Sequence, residues 1–141
     1  MQGECMQEGE DMNYVVALLC SLMLSTSAFA LEVTQSGVNL QVRYTEPVVT
    51  SNGTPLDDLA YTTITVLDGT AILEEVTVPA TALTGGGAIV RDVLFQPIAG
   101  QKKTYTIEVT ASDTNIDPGP NVSLPATSSI IIDREAPGAP Q

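Results

Sequence analysis

From Val38 onward the apolar residues of this chain recur every second position. Val38-Asn-Leu40-Gln-Val42-Arg-Tyr44 alternates strictly, which places four apolar side chains on one face of an extended strand. Thr62-Thr-Ile64-Thr-Val66 repeats the pattern with β-branched residues throughout, and Tyr105-Thr-Ile107-Glu-Val109-Thr-Ala111 is the cleanest alternation of all. Ile72 to Val78 alternates with one exception, because Glu74 falls in phase with Ile72, Val76 and Val78. A charge at such a position suits an edge strand, where it blunts unwanted pairing. Leu31 to Thr34, Val90 to Phe95 and Ser128 to Ile132 complete a set of seven strands, with the facing of Val90 to Phe95 left open. Turn residues punctuate the intervals at Ser51 to Pro55, Asp68-Gly69, Gly85 to Gly87, Pro97 to Gly100 and Asp117 to Pro120. No window after Ala30 carries an apolar stripe at helical spacing. The pattern predicts an all-β, seven-stranded antiparallel sandwich of two sheets.

The segment before the strands reads differently. Met12 to Ala30, MNYVVALLCSLMLSTSAFA, is a short apolar run ending in Ala28-Phe29-Ala30, the small-x-small pattern of a signal-peptidase site. Its apolar core, Tyr14 to Leu24, is too short to cross a bilayer comfortably. The expectation is a signal peptide over residues 1–30, removed on export, and a periplasmic, cell-surface or extracellular destination. Retained, the same run would act as an anchor. Residues 1–11 hold Glu4, Glu8, Glu10 and Asp11 with no base, which opposes the usual orientation of an export signal. Translation beginning at Met12 removes that conflict. Lipid attachment at Cys20 needs a small residue before it, and Leu19 is not one.

Composition narrows the remaining chain. Residues 1–30 carry four of the 17 acidic residues and none of the five basic ones, so the chain from Leu31 bears a net charge of −8. Such a surface repels phosphate backbones and anionic lipid, and nucleic-acid binding and membrane insertion after cleavage are not expected. An acidic, solvated exterior also keeps an exported protein soluble. Both cysteines, Cys5 and Cys20, precede the cut, so the sandwich is expected to hold by packing without a disulfide.

Three stretches then suggest a family. Tyr44-Thr-Glu-Pro47 followed by Asn52-Gly-Thr-Pro-Leu-Asp-Asp-Leu-Ala-Tyr61 resembles the B strand, BC loop and C strand of bacterial fibronectin type III modules. Thr104-Tyr-Thr-Ile-Glu-Val-Thr-Ala-Ser-Asp-Thr-Asn115 is similar to their F strand and FG loop. Asp133-Arg-Glu-Ala-Pro-Gly-Ala-Pro140 is similar to the linker between successive modules. The resemblance implies an immunoglobulin-like sandwich over residues 31–133 and a linker-like tail over 134–141. It also implies that Tyr105 is the corner tyrosine at the start of strand F. In one respect the chain departs from the family: Tyr44 stands where a tryptophan is usual, and its hydroxyl needs a partner if it is buried.

Chemistry-bearing constellations are sparse. From Leu31 there is no His, Cys or Trp, so the usual base beside a nucleophile is missing and catalysis is not expected. Asp57-Asp58 and Glu74-Glu75 are adjacent acids whose side chains point apart, and Lys102-Lys103 reads as solvated. Asp113, Asn115 and Asp117 occupy the first, third and fifth positions of a calcium loop. Pro118 and Leu124, however, stand where that loop needs Gly and a bidentate acid. These residues read as a turn, and no metal, cofactor or catalytic residue is assigned. Gly85-Gly86-Gly87 reads as a flexible connection, since a phosphate cradle needs a following helix. Sugar stacking needs exposed rings, and of Tyr44, Tyr61, Phe95 and Tyr105 only Tyr61 is a candidate. The Asn52 and Asn121 sequons would matter only in a eukaryotic secretory pathway. The reading that follows is a non-catalytic module contacting another protein through its loops or a sheet edge. A weak carbohydrate-binding module, or a piece of a larger secreted protein, is the alternative.

Overall fold

The alternating segments become strands, and two-sided pairing lengthens the central ones. The computed structural model describes residues 30–115 and 118–140. The expected leader and start at Met12, and both cysteines, fall on residues 1–29, which lie outside the described residues, as do Ile116 and Asp117. Seven strands follow: β1 (Glu32–Ser36), β2 (Asn39–Thr45), β3 (Leu59–Asp68), β4 (Ala71–Pro79), β5 (Ala88–Leu94), β6 (Lys102–Asp113) and β7 (Ala126–Asp133). Among the described residues there is no helix. Every expected strand is present. β3 and β6 run well past their alternating cores because each is paired on both sides.

The strands form two antiparallel sheets, ordered β1-β2-β5 and β4-β3-β6-β7. The register follows from the alternation, because opposed residues share a face and a one-residue slip would turn the apolar set outward. Val42 lies opposite Val33 and Arg91, while Ile64 lies opposite Val76 and Val109. Leu40, Val42, Tyr44, Ile89 and Val93 from the first sheet meet Ile64, Val66, Ile107, Val109 and Ile132 from the second. Each fully buried aliphatic side chain stabilises the fold by about 1.5–3 kcal/mol, and together they supply what a disulfide would otherwise add. β5 resolves its own facing: Ile89 and Val93 point inward, Val90 and Leu94 outward.

Tyr44 finds the hydroxyl partner that its burial requires. Its ring is buried on β2, and its hydroxyl shares a 2.5 Å hydrogen bond with Thr62 Oγ1 on β3, a bridge from one sheet to the other. Thr62 is fully buried, so each group satisfies the other where water cannot. Burial raises the Tyr44 pKa above 10.0; the Thr62 hydrogen bond opposes that shift and the nearby Glu46 adds to it.

Two details differ from expectation. Glu74 lies opposite the buried Val66, in phase with the core as the alternation says, but a β-bulge between Val66 and Leu67 inserts Leu73 beside it. Both residues are exposed. Tyr105 is buried, yet among the described residues its hydroxyl meets no hydrogen-bond partner. Its ring instead packs edge-on against Phe95, with centroids 4.8 Å apart and planes at 73°.

Replacing Tyr44→Phe leaves Thr62 unsatisfied and should cost roughly 1–3 kcal/mol in chemical denaturation. The double variant Tyr44→Phe/Thr62→Val should recover most of that loss. Equal losses in the single and double variants would contradict a penalty for leaving Thr62 unsatisfied.

Candidate interaction surface

Both connections that carry the chain between sheets at one end of the sandwich meet on a single carboxylate. Glu46 continues the inward phase of Leu40, Val42 and Tyr44, and it is 2% exposed. It opens the β2–β3 connection, and its donors come from the β4–β5 connection. Thr81 donates its backbone N–H to Oε1 at 2.8 Å and its hydroxyl to Oε2 at 2.5 Å, and the Gly87 N–H reaches Oε2 at 3.1 Å. The Glu46 N–H returns a 2.9 Å bond to the Gly87 carbonyl, and the Leu59 N–H donates to the Leu83 carbonyl. A buried carboxyl group needs such donors, because desolvation without them is costly.

This arrangement corrects the reading of the glycine run as a flexible connection. A Cβ on Gly87 would fall 2.1 Å from Thr81 Oγ1 and 2.8 Å from Glu46 Oε2. One on Gly85, whose φ is +65°, would fall 1.8 Å from the Pro47 carbonyl oxygen. The run is glycine because two backbones approach closely around Glu46. Its cradle holds the protein's own carboxylate.

The third connection at this end, between β6 and β7, is tied by Asp113. Its Oδ1 accepts the N–H groups of Asn115 and Asn121 at 3.1 and 2.8 Å, and its Oδ2 accepts the Asn121 side-chain amide at 2.6 Å. The Asn121 amide bond, aided by the backbone donors, holds the Asp113 pKa below 3.8. The carboxylate is thus engaged as a turn residue, with Asn115 contributing only its backbone; Asp117 lies outside the described residues. Val48, Leu83, Val122 and Leu124 are exposed on these connections, Leu124 most of all.

At the opposite end a shallow groove opens between β4 and the end of β5. Leu73, Glu74, Leu94, Gln96 and Ile98 border it, with Phe95 and Tyr105 beneath. Its volume is about 240 Å³, below the roughly 300–1,000 Å³ of sites that enclose a small ligand. Asp68 at its margin is ion-paired with Lys103, and that bond holds the lysine pKa above 10.5. Lys102 pairs instead with Asp133 at 3.4 Å, directly opposite in register.

The other weighed residues lie apart. Glu75 lies opposite Thr65 on the outer face while Glu74 faces inward; Asp57 is exposed, and the Asp58 carbonyl accepts the Thr114 N–H. Tyr44, Phe95 and Tyr105 are in the core and Tyr61 is half-buried on the outer face, so a sugar would meet no flat exposed ring among the described residues. Asn52 and Asn121 are both exposed. The chain matches no protein-family model, no curated protein and no solved structure.

Gly85→Ala should destabilise the fold by roughly 2–4 kcal/mol, through the clash and the positive φ together. Gly138→Ala, with open space around it, should stay within about 0.5 kcal/mol. Equal midpoints in urea would contradict the close approach. The Asp113 carboxyl should titrate below 3.8 by NMR. Because its folded value is the lower one, its contribution is present above the unfolded value and is lost as pH falls through the folded one. The Asn121 amide should lose protection across that window, and an unshifted titration would contradict the loop geometry.

Proposed function

We propose that the chain is an exported, non-catalytic module of the fibronectin type III kind that works by contacting another protein. The observation that carries the reading is the pair of exposed apolar margins: Val90, Leu94, Leu73 and Ile98 along the β5 side, and Val48, Leu83 and Leu124 at the loop end. Exposed aliphatic side chains clustered on a scaffold held rigid elsewhere are what protein contacts use. The strand order supports the family part of the proposal. With β2 as strand B, β3 as C and β6 as F, B lies in one sheet while C and F are neighbours in the other, as in immunoglobulin-type sandwiches. This step is analogy at the level of the fold. The leader-like Met12 to Ala30 supports export.

A photo-crosslinking residue placed at Leu94, or separately at Leu124, tests the contact in the cell that makes the protein. The expected result is a discrete protein adduct from at least one position, in the periplasm, at the cell surface or in the medium. Irradiation that yields no adduct from either position would overturn the reading. So would a species confined to the cytoplasm.

A further inference from the structure

Four strand edges border the two sheets, and three of them are protected. β1 and β7 lie against one another along one side of the sandwich. β4 carries the Leu73 bulge, two adjacent glutamates and Pro79, each a device that discourages pairing. β5 is the least guarded: it is seven residues long, pairs only with β2, and has neither proline nor bulge, its one inward-phase charge being Arg91. Its outer face presents Val90, 59% exposed, then Asp92, then Leu94, 63% exposed. An edge of this kind is a template for another strand.

Its charges argue against a second copy as the occupant. In a two-fold antiparallel pairing that keeps the inner faces on one side, opposed residues share a face, so the axis falls on a residue facing itself. Centred on Arg91 or Asp92, the pairing sets like charges opposite one another. Centred on Val90 or Val93, it sets Asp92 opposite Ala88 or Leu94. The net charge of −8 from Leu31 onward adds repulsion between copies.

We propose that the free edge of β5 is a strand-addition site for an extended segment of a different protein, reading apolar, basic, apolar at alternate positions. The apolar side chains would lie opposite Val90 and Leu94 and the base opposite Asp92, the cross-strand pairs that stabilise a sheet. Asp92 Oδ1 accepts the Gln41 side-chain amide at 3.3 Å, and its carboxylate stays exposed on the outer face. This inference rests on the protein-contact reading and names the partner's chemistry.

The test uses the ¹⁵N-labelled protein, purified as the expressing cell leaves it, and the capped peptide Thr-Val-Thr-Lys-Thr-Val-Thr, which reads alike in both directions. The expected result is NMR shift changes concentrated on Ala88–Leu94. Binding should weaken on the order of fivefold when the peptide's Lys is replaced by Glu, with the preference reversing in Asp92→Lys. Val90→Lys, a surface change that leaves the core intact, should abolish the shifts. No shifts at millimolar peptide, shifts confined to β4 or the loops, or indifference to the charge would each overturn the proposal. A cellular adduct from Leu124 alongside no response at β5 would leave the contact reading standing and remove this one.

Discussion

The Glu46 carboxylate is the interaction on which the rest of the sandwich depends. Two of the connections that carry the chain from one sheet to the other leave the same end, and both are fastened to it: one supplies Glu46, the other Thr81 and Gly87. Without that fastening the long β2–β3 connection and the β4–β5 connection would share an end with few reasons to approach. With it, the Pro47 and Gly85 backbones approach closely, and β5 is delivered alongside β2 rather than beside β4. The Tyr44–Thr62 bridge lies next to this staple and joins the sheets through their interior. An apolar core alone is tolerant of sliding; two buried polar connections set which arrangement of the sheets is the satisfied one.

The division of labour along the molecule follows. The loop end is knitted by Glu46 and Asp113, which consume the polar side chains there in holding the chain to itself. The side between β4 and β5 is left open, because neither strand crosses to pair with the other. Several apolar residues that the core does not absorb, among them Val90 and Leu94, lie on that side. A surface with these properties suits recognition of backbone and side chain together, and its small groove does not enclose a ligand.

Much of this was legible in the residue pattern. Period two announces β2, β3, β6 and, Glu74 apart, β4, and the inward sets of β2, β3 and β6 are those that Leu40, Ile64 and Ile107 belong to by phase. Glu46 shares that phase: it sits two residues after Tyr44, where a fifth apolar side chain would otherwise continue the row. Its partners are 35 and 41 positions away, and no local spacing links a glutamate to a distant glycine run. The run by itself signals conformational freedom, which Gly85 and Gly86 use at positive φ, but not the close approach that leaves no room for a Cβ on Gly85 or Gly87. Glu74 was read correctly as an edge charge, but the bulge at Leu73 depends on how β4 pairs with β3 and has no signature of its own. Facing in β5 stayed open because Arg91 interrupts the inward row between Ile89 and Val93.

Amide hydrogen exchange at Thr81 and Gly87 tests the staple most directly. Both N–H groups lie on a connection rather than a strand, and both donate to Glu46. The account predicts that they exchange as slowly as core amides of β3 and β6, and that Glu46→Gln, which turns a donor toward them, releases both while the β3 amides stay protected. Exchange at the rate of an unstructured loop in the unmodified protein would contradict it.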